Sequence, residues 1–344
     1  MNIAKIDAEK IQEIIDDAQE IVIVQADNPD GDSIGSALAL ESMLHEMGKT
    51  PYLYCAVRMP AYLRYLTGWD RVSDTLPKSF DASIFVDVST MTLLEQVQKQ
   101  RLLPRFNRKP AIVLDHHGTV EDEIPFATVF INDPTKSSAG ELVYNVAMTL
   151  EWLIPVIAGE AIMTAILGDT QGLSNDLASS DTYRVVASLI DLGVDRPALE
   201  NRRRQYSRMP QKIYAYKAEL LKRTNFYLND KLAMVVIPQD EINTYSPLYN
   251  PNALIQNDML QVEGVAITIV LKRYDDGKVT GGIRCNPGYR LASVLASQLS
   301  GGGHPFVAGF KQEQVIDFDE LRNDIITRTD KLLLANQETH SAVV

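Results

Sequence analysis

Cysteine is scarce. The 344 residues hold two, Cys55 and Cys285, far apart and with no Cys-x-x-Cys. That excludes a disulfide framework and a thiolate zinc site as organising features, and a reducing compartment is expected. Long apolar runs are lacking too: no stretch reaches the roughly 18 residues of a membrane-spanning helix. The start of the chain is acidic and amphipathic, without the basic opening and apolar core of a secretion signal. A cytoplasmic protein with no membrane partner is expected. Positive charge is in deficit, with 33 Lys and Arg against 45 Asp and Glu and a net charge of −12. Long duplex nucleic acid, which is held through many Lys and Arg contacts to phosphates, is therefore not an expected partner. A small anion stays compatible with this balance if a local basic pocket or a metal holds it.

What is present is ordinary for a globular chain, 45% hydrophobic and 23% charged, and its length suits two domains. A helix is predicted over 6–18, with Ile11, Ile14, Ile15 and Ala18 on one face. Ile21-Val22-Ile23-Val24 follows without alternation, as in a strand buried on both faces of a parallel sheet. Further strands are predicted at 52–54, 83–86, 111–114 and 128–131, and helices at 34–47 and about 92–101. Strands alternating with helices imply an open parallel sheet. Residues 138–192 read as mostly helical, with Ser138-x-x-Glu141 fitting a capping box. Residues 196–223 carry nine Lys and Arg against Glu200 and Glu219. They read as a connecting helix, either a solvated connector or a phosphate-facing surface. Strands are then predicted at 232–237, 265–272 and 278–284, with Asp275-Asp276-Gly277 turning the last two into a hairpin. A helix at 290–299 leads into Ser300-Gly301-Gly302-Gly303-His304. The fold class is α/β: a domain over 1–195, a connector over 196–224, a smaller α/β domain over 225–335 and a disordered tail over 336–344.

The chemistry-bearing residues gather at strand ends. Asp30 and Asp32 follow the first strand in Asn28-Pro29-Asp30-Gly31-Asp32. Asp87 caps the strand at 83–86, and Asp115, His116 and His117 cap the strand at 111–114. Asp169 ends the apolar helical stretch at 157–167. In an open parallel sheet the carboxyl ends of the strands line the ligand crevice. Crowded carboxylates repel unless a cation sits among them. Carboxylates with one or two imidazoles suit Mn²⁺ or Mg²⁺. Asp30-Gly31 alone would read as a turn and Asp87 alone as a loop residue; the recurrence at successive strand ends argues for a site. Gly301-Gly302-Gly303-His304 offers backbone N–H groups and an imidazole to a phosphate, although a tight turn would also use glycine. Arg284, at a predicted strand end, is a candidate phosphate fork.

Taken together, Asn-Pro-Asp-Gly-Asp at 28–32, Val-Asp at 86–87, Asp-His-His at 115–117, Gly-Asp-Thr at 168–170 and the distal Gly-Gly-Gly-His resemble the motif set of the DHH phosphoesterase superfamily. The later part resembles the DHH-associated substrate-binding domain. The likeness spans about 15–330 and is nearest to small nanoRNases that also act on phosphoadenosine phosphate (pAp). Cyclic-dinucleotide phosphodiesterases are near kin. The resemblance implies a parallel-sheet DHH domain, a smaller substrate-binding domain, a cleft between them and two Mn²⁺ ions, with Mg²⁺ as an alternative. It assigns Asp30 and Asp87 to the first ion and Asp32, Asp87, His116 and Asp169 to the second. It turns His117 to the scissile phosphate, with Asp115 orienting its neighbouring histidine. It gives Arg284, Gly301, Gly302, Gly303 and His304 to the substrate. One position departs: the family places a metal-binding His four residues before the first Asp, and here that residue is Ala26. The first ion loses a ligand, and the neighbours Gln25 and Asp27 point to the other side of the strand end.

The implied activity is metal-dependent hydrolysis of short oligoribonucleotides or pAp-like nucleotides by two-metal attack of water. Two other readings stand beside it. One is a non-catalytic or single-metal nucleotide-binding protein, which Ala26 favours; the other is a cyclic-dinucleotide phosphodiesterase. The family likeness and the apolar 139–167 region imply a homodimer.

Overall fold

Ile21-Val22-Ile23-Val24 is buried along its whole length. Ile21 and Ile23 pack into one apolar cluster with Ile84, Val86, Ile112 and Leu114. Val22 and Val24 pack into another with Phe85 and Val113. A run without alternation is what a central strand with helices on both faces requires. The computed structural model describes residues 5–118, 123–206, 208–246 and 249–341. The chain divides into two units, Met1–Arg208 and Met209–Val344.

The first unit runs α1 (Lys5–Asp17), β1 (Glu20–Val24), α2 (Gly31–Glu46), β2 (Thr50–Tyr54), β3 (Ala82–Val86), α3 (Glu95–Lys99), α4 (Leu103–Phe106), β4 (Ala111–Asp115), β5 (Val129–Asn132), α5 (Ala139–Thr149), α6 (Val156–Asp169), α7 (Ser180–Asp191) and α8 (Arg196–Tyr206). All its strand pairs are parallel, in the order β2-β1-β3-β4-β5. The order reverses at β1 and β3. In doubly wound sheets that reversal opens a crevice at the carboxyl ends of the two strands. Helices α1, α2, α5, α6 and α7 cover one face, and α3 and α4 the other.

Helix α6 is apolar almost all round because it lies among α2, α5 and α7. Its approach to α2 is so close that a Cβ on Gly35 would stand 2.6 Å from the Ala161 carbonyl oxygen. Much of the apolarity of 139–167 is thus used within this unit. Met148, Leu153, Val156 and Ile157 are the large apolar side chains of that stretch left exposed. The helix predicted over 92–101 is shorter than expected: a 3-10 turn at Met91–Leu94 precedes the five-residue α3. Asp27 pins this segment, donating its N–H to the Leu93 carbonyl and accepting the Gln96 N–H on Oδ2. Arg101, at φ 58, ends it.

The second unit runs α9 (Gln211–Lys222), β6 (Asn225–Tyr227), β7 (Leu232–Ile237), α10 (Gln239–Tyr245), α11 (Pro251–Leu260), β8 (Ile267–Arg273), β9 (Val279–Cys285), α12 (Ala292–Ser297), β10 (Gly301–Gly303), β11 (Val307–Gln312) and α13 (Phe318–Ser341). Its mixed sheet has the order β10-β11-β9-β8-β7-β6, with β7 and β8 parallel and the other pairs antiparallel. Helices α12 and α13 cover one face. Helices α9, α10 and α11 cover part of the other.

The connector expected over 196–224 is two helices, α8 and α9, separated near Pro210, where the ring removes a backbone donor. Its cations are largely engaged locally. Arg203 and Arg204 pair with Glu200, Arg202 with Glu160, Lys217 with Asp258 and Arg223 with Glu241. Of the two readings of this segment, these pairs favour the solvated connector. The stretch 336–341, expected to be a disordered tail, continues α13, and 342–344 lie outside the described residues.

Candidate metal centre

The loops after β1, β3 and β4 and the end of α6 supply the candidate residues. Asp30 is the N-cap of α2, and its Oδ1 accepts the N–H groups of Asp32 (2.9 Å) and Ser33 (3.1 Å). Asp32, in the first turn of α2, is fully buried. Its Oδ2 accepts from Ala139 N at 2.6 Å, and its Oδ1 from Gly140 N and Ser36 Oγ, both at 2.9 Å. The Asp32 carboxylate therefore sits on the N-terminus of α5, where free N–H groups and the helix dipole favour an anion. Asp87 leaves β3 at φ 57, a left-handed conformation that costs a non-glycine residue energy and recurs at functional sites.

His116 joins these groups. Its Nε2 lies 3.0 Å from Asp169 Oδ2, 3.3 Å from Asp32 Oδ2 and 3.9 Å from Asp87 Oδ1. Its Nδ1 faces the Lys136 carbonyl oxygen at 3.3 Å. Donor atoms of Asp32, His116 and Asp169 lie within 4.8 Å of one another, as do those of Asp87, His116 and His117. Among the described residues, His116 Nε2 makes no well-directed hydrogen bond despite these near neighbours. A ring nitrogen with three carboxylate oxygens within 4 Å of it is an arrangement that fits a cation. The donor set, carboxylates with one imidazole, suits Mn²⁺ or Mg²⁺. Both donor groups share His116, which has one nitrogen free for a cation because the other faces Lys136.

Charge crowding shows in the acidities. Burial, then the Asp169 charge, pushes the Asp32 carboxyl up to about 7, against the pull of His116. Asp87 is raised well above the usual carboxylate range by burial and by Asp32, Asp30 and Asp169. Asp30, open to solvent on one side and hemmed in on the others, is raised by desolvation and by Asp169. Burial would lower His116, but Asp169 and Asp32 outweigh it and lift the imidazole to about 9. A cation among the carboxylates would relieve this repulsion.

Asp115 takes no part in the cluster of His116 Nε2. It is fully buried, and its Oδ1 accepts His117 Nδ1 at 2.7 Å and His116 N at 2.8 Å. Burial opposes its charge, yet the bond and charge of His117 win and hold its carboxyl at about 2. Burial likewise opposes a charged His117, and Asp115 outweighs that to raise its pKa.

Ala26 is buried among Val22, Val24, Tyr54 and Val88, in the apolar layer below α3 and α4. Asp27 is turned to Gln96. Gln25 is fully buried, and neither of its amide atoms has a hydrogen-bond partner among the described residues.

In the second unit, strand register puts Arg284 opposite Val307 and Gly302 opposite Gly309. Alternation then sets Arg284 and Gly302 on one face of the sheet, with Gly301 and Gly303 on the other. A Cβ on Gly301 would meet the Gly309 carbonyl at 2.1 Å, and one on Gly303 would meet Ala308 Cα at 2.7 Å. A Cβ on Gly302 would meet nothing within 4 Å. Strand packing explains two of the glycines and leaves Gly302 unexplained. His304 opens the hairpin to β11, bonded through its backbone to Val307 in both directions. Arg284 Nη1 donates to Asn257 Oδ1 at 2.8 Å, and no carboxylate pairs with Arg284 among the described residues. Burial alone lowers its pKa. A half-buried guanidinium without an acid partner is open to an anion.

The sequence reading did not single out Asn257, Lys136 or the N–H groups of Ala139 and Gly140. The cap pattern at Ser138 was the one signal for Ala139 and Gly140, and Asn257 had none.

Residues 20–167 match the DHH family, N-terminal domain. The chain is 26% identical, over 82% of its length and 81% of the relative's, to the bifunctional oligoribonuclease and PAP phosphatase NrnA of Thermus thermophilus. It is 23% identical to the cyclic-di-AMP phosphodiesterase GdpP of Bacillus subtilis, over 88% of this chain but 46% of that protein. Among solved structures, an exopolyphosphatase-related protein from Bacteroides fragilis superposes with a TM-score of 0.84 at 20% identity, covering 96% of this chain and 98% of that one. RecJ of Thermus thermophilus in complex with Mn²⁺ gives 0.52 at 14% identity, covering 95% of this chain and 54% of that one. These likenesses bear on the fold.

Proposed function

From the premise that residues 20–167 are a DHH-family N-terminal domain, we propose that this chain is a metal-dependent phosphoesterase. Its substrates in this reading are short oligoribonucleotides and pAp-like nucleotides. The observation that carries it is the meeting of Asp32, His116 and Asp169 within 4.8 Å, with Asp87 beside them. The likeness to an oligoribonuclease and PAP phosphatase over four-fifths of both chains supports the choice of substrate.

In this reading Asp32, His116, Asp169 and Asp87 hold one ion, and Asp30 with Asp87 holds a second with one donor fewer than the family pattern. Divalent cations, when bound, polarise a phosphoryl oxygen and supply hydroxide near neutral pH. The protein groups do the rest. Asp115 keeps the Nδ1 proton of His117 in place, so that Nε2 presents a proton to a phosphate oxygen or leaving group. In the second unit, Arg284 offers its guanidinium to a phosphate, and the bare backbone at Gly302 leaves room for an anion on the same sheet face.

A second reading, a single-metal or non-catalytic nucleotide-binding protein, is favoured by the buried methyl of Ala26. Incubation with Mn²⁺ and pApA, pAp or cyclic di-AMP, with Asp169→Ala as control, separates the readings. Release of AMP from pApA, or of phosphate from pAp, supports the proposal. Cleavage of cyclic di-AMP alone moves the substrate class. Tight nucleotide binding without turnover supports the binder.

A further inference from the structure

Glu141 touches none of the candidate ligands, yet its carboxylate is fully buried and heavily engaged. Its Oε2 accepts from Ser137 Oγ at 2.6 Å, Ser137 N at 3.2 Å and Thr182 Oγ1 at 2.8 Å. Buried Lys136 Nζ stands 3.8 Å from Oε1. The spacing Ser138-x-x-Glu141 anticipates a side chain reaching back to Ser138 N. Only half of that box forms. Ser138 Oγ accepts Glu141 N at 3.0 Å, while the Glu141 carboxylate turns to Ser137, Lys136 and Thr182. The three hydrogen bonds all fall on Oε2, while Oε1 has only the Lys136 charge beside it.

These contacts fix the segment 136–140, and that segment grips two candidate ligands through its backbone. The Lys136 carbonyl faces His116 Nδ1, which leaves Nε2 turned to the acids. The N–H groups of Ala139 and Gly140 take one oxygen each of Asp32. The third ligand is tied in from the other side. Asn175 Nδ2 donates to the Asp169 carbonyl at 2.7 Å, in the loop leading to α7, and Thr182 of α7 donates to Glu141. Glu141 thus ties the segment behind Asp32 and His116 to α7, the helix that follows the loop bonded to Asp169.

We propose that Glu141 is a positioning residue of the metal centre, setting ion affinity by holding 136–140 against Asp32 and His116. This rests on the reading that the cluster takes a divalent ion. Groups that orient ligands from behind change metal affinity by about 10- to 100-fold when altered.

The test is Mn²⁺ binding measured by electron paramagnetic resonance, alongside the melting temperature of the metal-free protein. Glu141→Gln is expected to raise the Mn²⁺ Kd by about 10- to 100-fold while circular dichroism stays that of the parent. Thr182→Val removes one hydroxyl at constant shape and is expected to weaken Mn²⁺ in the same direction; Thr182→Ser keeps the hydroxyl and restores parental affinity. If Glu141→Gln does not fold, the Thr182 pair carries the test. Folded Glu141→Gln or Thr182→Val with parental Kd and a lowered melting temperature would make the role structural only and overturn the inference. A parent that binds no Mn²⁺ overturns the metal-centre reading itself, and this inference with it.

Discussion

Asp115 Oδ1 and His117 Nδ1 stand 2.7 Å apart, and each holds the other in its charged form. Asp115→Asn keeps the shape and removes the charge. The His117 pKa should then fall, read by NMR titration of its ring protons, because burial is opposed only by the weaker pull of Asp169. His117→Ala should lower kcat by about 10²- to 10⁴-fold, the usual worth of a positioned acid. An Asp115→Asn variant with an unshifted His117 titration would contradict the pairing.

The metal-free protein should weaken as pH rises. Asp32 titrates at about 7 when folded, against an ordinary 3.8. The unfolded chain releases that proton first, so stability falls between about pH 4 and pH 7. His116 acts the same way: its contribution is full below its ordinary 6.5 and is lost as pH climbs through about 9. Asp115 acts oppositely, and only in acid: its contribution is present above 3.8 and lost as pH falls through about 2. In EDTA the melting temperature should therefore decline from about pH 5 to pH 9. Added Mn²⁺ should stabilise more at the higher pH, since its ligands must shed protons. Scanning fluorimetry checks both; a Mn²⁺ effect that shrinks with pH would count against the cluster.

Glycine replacement separates packing from ligand approach. Gly302→Ala should fold with a near-parental melting temperature and bind nucleotide less tightly, since its Cβ enters open space. Gly301→Ala and Gly303→Ala should destabilise, because each Cβ runs into β11. Calorimetry with pAp and thermal melts read the two effects apart. Equal destabilisation at all three positions would deny Gly302 a ligand role.

Ala26→His places an imidazole four residues before Asp30, where the resemblance to the DHH superfamily implies one. It should raise turnover at low Mn²⁺, at a stability cost of about 1–3 kcal/mol from overpacking the apolar layer around Val22, Val24 and Tyr54. Finding two tight, equivalent ions in the unmodified chain would refute the claim that its first site is impaired.

Much of this was legible in the sequence because the first sheet is buried on both faces. Ile21–Val24 and Ala111–Leu114 need uninterrupted apolar side chains, and the acids begin where those runs stop. The second unit was less legible. Gly301–Gly303 forms an edge strand although glycine has little strand preference, and pairing with β11 decides it. The helix expected at 92–101 starts only at Glu95, where Asp27 accepts the Gln96 N–H, a contact between residues 69 apart. The network at Glu141 looked like a simple helix cap, because local spacing cannot reveal Thr182 or the backbone grip on Asp32.

Diffraction from crystals grown with Mn²⁺, recorded for anomalous scattering at the manganese edge, tests the central claim most directly. A strong peak bounded by Asp32, His116 and Asp169, with Asp87 in contact, is expected. Crystals that hold manganese elsewhere, and none among these four side chains, would contradict it.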